Sequence, residues 1–309
     1  MQKLLQLARW ITIVSLSMTT LHPAWAADKI NVTTSFSILG DWVRVVGAER
    51  VVVTDLVGPD QDAHVFQPKP TDAKRILASQ LVVINGLGFE PWMKKLMASA
   101  GYKGASVQAS QGIKPMKMQG HHSHGAAGGN DHADADPHAW QDLGHAMQYV
   151  TNIAQALSQV DPAGANLYQA NARRYNQELQ ALDDWAKQQI ATIAPAKRKV
   201  ITSHDAFGYL AARYGIQFFA PQGLNTEADA TAKDVAKLIR QIKKDNIKAV
   251  FVENMSNPKL VTQLAKDTGV TLGKPLYADA LSAPNQPGAT YLAMMRHNIT
   301  ELVAGMAKN

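Results

Sequence analysis

The sequence predicts an α/β protein of two lobes, each a mainly parallel sheet flanked by helices, joined by one long, rigid backbone helix. Three observations predict it. Short β-branched runs alternate with amphipathic helical stretches from Lys29 to about Ala98, the order that builds parallel sheets covered by helices on both faces. The same alternation restarts at Lys199. Between the two series, Leu167, Tyr168, Ala172, Tyr175, Leu179, Leu182 and Trp185 make an apolar stripe at helical spacing. The stretch that carries it, from about Ala163 to Ile190, would span roughly 40 Å as a helix, longer than one small sheet needs. Residues 1–26 then form a signal peptide, 27–160 the first lobe, 161–193 the linking helix and 194–309 the second lobe.

The elements follow in order. Ile30 to Thr34 and Val51 to Val57 are β-like, with a helix from Ile38 to Val46 between them. Gly58-Pro59 opens a turn-rich loop that runs to Pro70 and carries His64. A helix begins near Thr71 and Asp72, Leu81 to Ile84 is a buried strand, and Glu90 to Ala98 is helical. Beyond Trp140 come a helix from Leu143 to Leu157 and, after the start signal Asp161-Pro162, the long helix. The second series has strands at Lys199 to Thr202, Gln217 to Ala220, Lys248 to Val252 and Pro275 to Tyr277. Its helices end at Tyr214, run from Thr231 to Lys244 and from Pro258 to Asp267, and close the chain from Pro287 to Met306.

Composition narrows the function. Lys3 and Arg9 precede an uncharged run from Trp10 to Met18 and the small-x-small site Ala24-Trp25-Ala26, the layout of a secretory signal peptide. That run is well short of the roughly 20 residues that cross a bilayer. Secretory lipoproteins are attached through a cysteine at the cleavage site, and the sequence contains no cysteine. The expectation is therefore a soluble, exported protein without a membrane anchor, monomeric and located in a bacterial periplasm. Disulfides and thiolate metal sites are excluded, so a metal must be held by imidazole and oxygen. Losing residues 1–26 lowers the formal charge from +6 to +4. No Lys/Arg cluster with interleaved aromatics appears, which argues against a nucleic-acid partner.

Five of the ten histidines lie between His121 and Trp140. An Asp- and Gly-spaced histidine run is a compositional sign of transition-metal handling. His121, His122, His124 and His132 sit among Gly125, Gly128 and Gly129, whereas Pro137 stiffens the chain before His138 and Trp140. The loop, residues 120–136, is thus read either as a low-affinity metal collector or as a plain solvated linker, leading to one fixed imidazole. His64, His204, Glu253 and Asp279 each fall just past a predicted strand, the end of an open α/β sheet where ligands bind. Asp205, Glu227 and Glu253 rival Asp279 as the oxygen donor. Asp62 and Asp136 precede His64 and His138 by two residues; turn formation is the first reading for both, and orientation of the ring through its second nitrogen is the alternative. His145, His297, the Met294-Met295 pair and Trp42, Trp92 and Trp185 are read as packing or surface residues.

The strand Asn31 to Phe36, Gly58-Pro59 with Asp62-Ala63-His64 and Gln67-Pro68, Asp136-Pro137-His138-Ala139-Trp140, His204-Asp205-Ala206-Phe207-Gly208-Tyr209, Gly223-Leu224-Asn225-Thr226-Glu227-Ala228 and Asp279 together carry a resemblance. Over essentially the whole mature chain the sequence resembles the metal-binding receptors of bacterial ABC importers for zinc and manganese, and among them the zinc-receptor type. It departs at Ala63, where that family often has proline. The resemblance implies metal in the cleft between two lobes, with ligand roles for His64, His138, His204 and Asp279 and delivery to a membrane permease. Zinc(II) accepts such a set as a closed tetrahedral shell. Manganese(II) favours more oxygen, and copper(II) outranks zinc in affinity order, so both remain competitors. The alternatives are a manganese receptor, a metal-scavenging adhesin of the same fold, or a zinc-dependent hydrolase; a fourth protein ligand argues against the last by filling the open position that catalysis needs.

Overall fold

A computed structural model describes residues 29–117, 135–224, 226 and 230–309. The expected signal peptide and the loop histidines His121, His122, His124 and His132 lie outside the described residues, as does Glu227.

Strands β1 (Ile30–Phe36), β2 (Val51–Val57), β3 (Leu81–Ile84) and β4 (Ala105–Gln108) form a parallel sheet in the order β2-β1-β3-β4. β1 is buried at every position but Asn31, the continuous burial expected of a parallel strand covered on both faces. Helices α1 (Ser37–Gly47), α2 (Pro70–Leu77) and α3 (Pro91–Ala100) connect these strands. α1 lies so close to β2 that a Cβ on Gly40 would sit 1.9 Å from Asp55 Oδ1. Asp55 cannot easily retreat, because Thr34 Oγ1 and Arg44 Nη2 each donate to it at 2.8 Å. β4 escaped the sequence reading for a physical reason: it is a largely exposed edge strand of four residues, too short for the alternation in Ala-Ser-Val-Gln to stand out.

α4 (Leu143–Val160) starts at Asp142, whose side chain accepts from Gly144 N at 2.6 Å and His145 N at 3.2 Å. α5 (Ala165–Ala191) is the long helix, and its Tyr168, Ala172, Tyr175, Leu179, Leu182, Ala186 and Ile190 are buried. It packs against α1 and α4 of the first series and α9 (Tyr291–Met306) of the second. Trp185 stays partly exposed beneath Arg296, whose guanidinium carbon lies 4.4 Å from its ring centre.

β5 (Lys199–Ile201) and β6 (Gln217–Phe219) pair in parallel. The strands expected at 248–252 and 275–277 are each reduced to an isolated parallel bridge, Ile201 with Val250 and Glu253 with Leu276. On the side of Val250 that faces away from β5, its N–H turns back to Lys248 O at 3.1 Å. α6 (Gly208–Tyr214), α7 (Ala232–Asp245) and α8 (Lys259–Thr268) complete this half. The last helix begins at Tyr291 rather than Pro287, because Thr290 caps it through Ala293 N.

One apolar cluster runs from Ile30 to Met306 through α1, α4, α5 and α9, and a smaller one joins Ile201, Leu238, Ile242, Val250, Val261 and Leu264.

Candidate metal centre

The parallel topology sends every β1–β3 carboxyl end to one edge, and the loop after β2 carries His64 there. Asp62 shapes that loop by accepting His64 N–H at 2.8 Å, while its other oxygen accepts from Thr226 Oγ1 at 2.7 Å. Trp92 Nε1 donates to Ala63 O at 2.8 Å and fixes the loop from the side of α3. An open pocket of about 400 Å³ between Phe66, Trp92 and Lys95 flanks the outer side of His64.

His138 is placed by its neighbours. Asn85, at the end of β3, donates to Pro137 O at 3.1 Å and accepts from Tyr149 OH at 2.6 Å. Asp136 Oδ1 accepts both from His138 N at 2.9 Å and from its ring Nδ1 at 2.8 Å. Turn formation, the first reading of both aspartates, describes Asp62; Asp136 does that and orients the ring as well. With Nδ1–H held, His138 directs Nε2 forward as a lone-pair donor.

His204 follows β5. Glu253 Oε1 accepts from Ser203 N at 2.9 Å and His204 N at 3.0 Å, and Oε2 meets the His204 ring Nδ1 and Ser256 Oγ. Glu253 therefore stands behind His204 and not beside Asp279, and Asp205 lies outside the cluster of donors. Asp279 is delivered by the chain after Leu276: Trp140 Nε1 and Gln141 Nε2 both donate to Ala278 O, at 2.9 and 2.7 Å. Trp140 thus ties the His138 segment to the Asp279 segment, a role that no sequence signal announced.

The four side chains converge. His64 Nε2 lies 3.3 Å from His138 Nε2 and 3.3 Å from Asp279 Oδ2; His204 Nε2 lies 3.1 Å from Asp279 Oδ2, and His138 Nε2 lies 3.6 Å from Asp279 Oδ1. His138, His204 and Asp279 are 0 % exposed and His64 5 %. Phe89 and Trp140 wall the site, with ring centres 4.8 Å from His64 and 5.2 Å from His138. Among the described residues, His204 Nε2 and both Asp279 oxygens have no well-aligned hydrogen-bond partner. Close approach without alignment, in a buried place, is what donors aimed at a common point produce.

Charge is concentrated here. Burial pulls the His204 imidazolium down, but the carboxylates of Glu253 and Asp279 outweigh it and hold the ring well above its ordinary range. Burial pushes Asp279 up, and the imidazoles of His204 and His138 more than reverse that, leaving it well below the carboxylate range. A buried carboxylate ringed by three imidazoles is a ready binding site for a divalent cation. The other described histidines are elsewhere: His145 stacks edge-on to Tyr209, and His297 Nε2 bonds Pro275 O at 2.8 Å.

Comparison with known proteins decides the family. The model of ZnuA, zinc-uptake complex component A, periplasmic, matches residues 32–305. The chain belongs to this family. It is a metal-binding substrate receptor of an ABC importer, working outside the cytoplasm, and not an enzyme. The receptor is 32 % identical over 281 residues, 91 % of this chain and 90 % of the other, to the manganese-binding lipoprotein MntA of Halalkalibacterium halodurans. To the iron-binding protein YfeA of Yersinia pestis it is 30 % identical over 288 residues, 93 % and 89 % of the two chains. Its fold matches the periplasmic zinc-binding protein TroA from Treponema pallidum with a TM-score of 0.82 at 25 % identity, covering 90 % of this receptor and 99 % of that chain. It also matches a manganese-bound periplasmic metal-binding protein from Candidatus Liberibacter asiaticus, with a TM-score of 0.78 at 30 % identity over 90 % and 100 % of the chains.

Proposed function

We propose that this receptor captures zinc(II) in the periplasm with His64, His138, His204 and Asp279 and hands it to the permease of its importer. The observation that carries the reading is the spacing of the donors. An ion bound at about 2.0–2.1 Å in a tetrahedral shell sets its ligands roughly 3.3 Å apart. Four of the contacts among the three Nε2 atoms and the Asp279 carboxylate run from 3.1 to 3.6 Å, and all the donor atoms lie within 4.8 Å of one another. Three nitrogens and one carboxylate suit zinc better than manganese, which favours oxygen. Copper(II) remains a competitor by affinity order and is set aside by availability rather than by the ligands.

Manganese is the second reading, and the name of the MntA relative and the manganese-bound structural neighbour favour it. We further propose that residues 27–160 and 194–309 act as two lobes on the helix of 161–193. In this reading the receptor is a soluble monomer, and His121, His122, His124 and His132 form a weak collector feeding the main site. Several relatives are named lipoproteins, whereas this sequence contains no cysteine.

Metal content of the purified mature protein, followed by zinc and manganese competition, tests the reading. One zinc per chain at nanomolar affinity, about −12 kcal/mol, is expected, with severe loss in His204→Ala. Preference for manganese would overturn the metal assignment; tight binding that survives His204→Ala would overturn the ligand set.

A further inference from the structure

The mature chain has two concentrations of positive charge: residues 91–130, with five lysines and no acidic residue, and the stretch that forms α7 and α8. Residues 231–270 hold eight basic and four acidic residues, a surplus equal to the whole +4 of residues 27–309. Lys233, Lys237, Arg240 and Lys244 follow the spacing i, i+4, i+7 and i+11 on α7, which places them in one stripe about 16 Å long. All four are exposed. The opposite face of α7 is spent on the core, with Leu238 and Ile242 buried in the smaller apolar cluster. Lys243 on α7 and Lys259 and Lys266 on α8 are also exposed.

Among the described residues, the nearby acids are bonded to other groups. Asp234 accepts from Thr231 Oγ1 at the helix start, Asp245 is paired with Lys199 at 2.8 Å, and Asp267 accepts from Gln263. Glu253 is buried behind His204. Among the described residues, no ion pair is made by any of the four stripe cations. Such a row raises a positive potential that reaches about 10 Å into solution at 0.1 M salt.

We propose that the outer face of α7 is an electrostatic contact surface for a bilayer bearing anionic phospholipid headgroups. It rests on the receptor's place beside an importer in the membrane, outside the cytoplasm, and does not depend on which metal it carries. A specific protein partner is anchored by aromatic or apolar side chains seated in pockets. The described large apolar residues left exposed are Val52, Val65 and Leu77, none of them on α7. A layer of mobile headgroups needs no anchor; it needs flexible cations in a row, and three of these four are lysines. With nothing apolar to insert, the contact is purely electrostatic and reversible. Adsorption would hold the receptor near the membrane, shortening its search for the permease.

The test is flotation of the full mature protein with vesicles of equimolar phosphatidylglycerol and phosphatidylcholine, against vesicles of phosphatidylcholine alone. Binding to the anionic vesicles is expected at low salt and loss of it near 1 M, where screening shrinks to about 3 Å. Each cation near an anionic surface contributes roughly fivefold to partitioning, so the quadruple variant Lys233→Gln, Lys237→Gln, Arg240→Gln, Lys244→Gln should lose two to three orders of magnitude. A second quadruple, Lys94→Gln, Lys95→Gln, Lys103→Gln, Lys114→Gln, changes the net charge equally and should bind nearly as well as the parent. His64→Ala should leave vesicle binding unchanged while abolishing tight metal binding, so failure here and failure of the metal assignment are separable. Equal binding to neutral vesicles, equal loss in the second quadruple, or retention in the first would overturn the proposal. Capture of polyglutamate with no vesicle binding would overturn it in favour of an acidic protein.

Discussion

Glu253→Gln tests whether the residue behind a ligand decides how well that ligand binds. Glu253 Oε1 accepts two backbone N–H groups, from Ser203 and His204, so the glutamine must put its single carbonyl oxygen there. Its NH2 then faces His204 Nδ1. An amide donor at Nδ1 makes that nitrogen an acceptor and moves the ring proton to Nε2, the atom 3.1 Å from Asp279 that has to carry the lone pair for metal. Loss of such a supporting group typically costs 10- to 100-fold in metal affinity, about 1.4 to 2.7 kcal/mol.

The variant should also change the proton count. His204 is held above its ordinary pKa by Glu253 and Asp279 against the pull of burial. A raised folded pKa contributes stability that is fully present below about 6.5 and is lost only as pH rises through the higher folded value, so the metal-free ring keeps its extra proton at neutral pH. Metal must expel that proton. With one carboxylate gone the ring is less protonated beforehand, and calorimetry at pH 7 in buffers of different ionisation enthalpy should record weaker binding together with fewer protons released. General damage to the fold would weaken binding without lowering the proton count. Affinity within twofold of the parent, with unchanged proton release, would refute the reasoning.

Gly208→Ala should weaken metal binding by about tenfold without touching a ligand, because its Cβ would lie 2.6 Å from Asp136 Oδ2 and would push that carboxylate off His138 Nδ1; titration of zinc into folded variant protein checks it. Asp41 is raised to about 6, first by burial and then by Asp55, against the Tyr291 N–H and Arg44. Its stabilising share is therefore complete below about pH 3.8 and lost as pH rises through about 6, so Asp41→Asn should be more stable than the parent in denaturant at pH 8, by up to about 3 kcal/mol, and equal to it near pH 4. Hydrogen exchange should slow on metal binding in residues 58–66 and near Thr226 and stay unchanged in α4, α5 and α9; uniform change across those helices would show that the whole molecule rearranges.

Much of this was legible in the sequence, and the omissions have physical causes. Strong periodicity and Asp or Thr at helix starts placed α4, α5 and α7 to within a few residues. The four converging side chains were legible because chemistry and topology agree: His64 and His204 follow strands, and ligands gather at strand ends. What could not be read is pairing between distant side chains. Glu253 follows the last residue of an expected strand and looked like a rival ligand; only the fold shows it facing the far side of the His204 ring. Asp136 and Asp62 have the same spacing to a histidine, yet one reaches the ring and the other bonds Thr226, a difference set by a residue more than 160 positions away. β4 was missed because four largely exposed residues, Ala105–Gln108, are too few for their alternation to stand out.

The distribution of bonds around the site also says which parts can move to admit an ion. Only His64 has any exposure, at 5 %, so a metal reaching the other three donors must displace something on that side. At the front the two halves meet through polar contacts: Asp60 accepts from Asn254 Nδ2 at 2.8 Å and Ala283 N at 3.3 Å, and Asp62 accepts from Thr226 Oγ1. Each such bond is worth about 0.5–1.5 kcal/mol net, and water replaces it when the loop lifts. Asp60 sits at φ 57°, so the closed loop already holds one residue in a conformation that costs of order 1 kcal/mol or more, which release would recover. Behind the site the balance reverses. Trp42 packs on Tyr149 and Tyr291 with centres 5.1 and 4.7 Å apart, and Tyr291 OH bonds Trp140 O at 2.5 Å, all of it buried. Exposing even two such side chains costs about 3–6 kcal/mol in burial alone, before the lost hydrogen bonds. A wide swing of one half against the other would tear this shared core, whereas lifting residues 58–66 costs the Trp92–Ala63 bond and the burial of Ala63 and His64 and otherwise breaks bonds that solvent can replace. Metal exchange should therefore proceed at the His64 edge with the long helix and its three packed partners standing still.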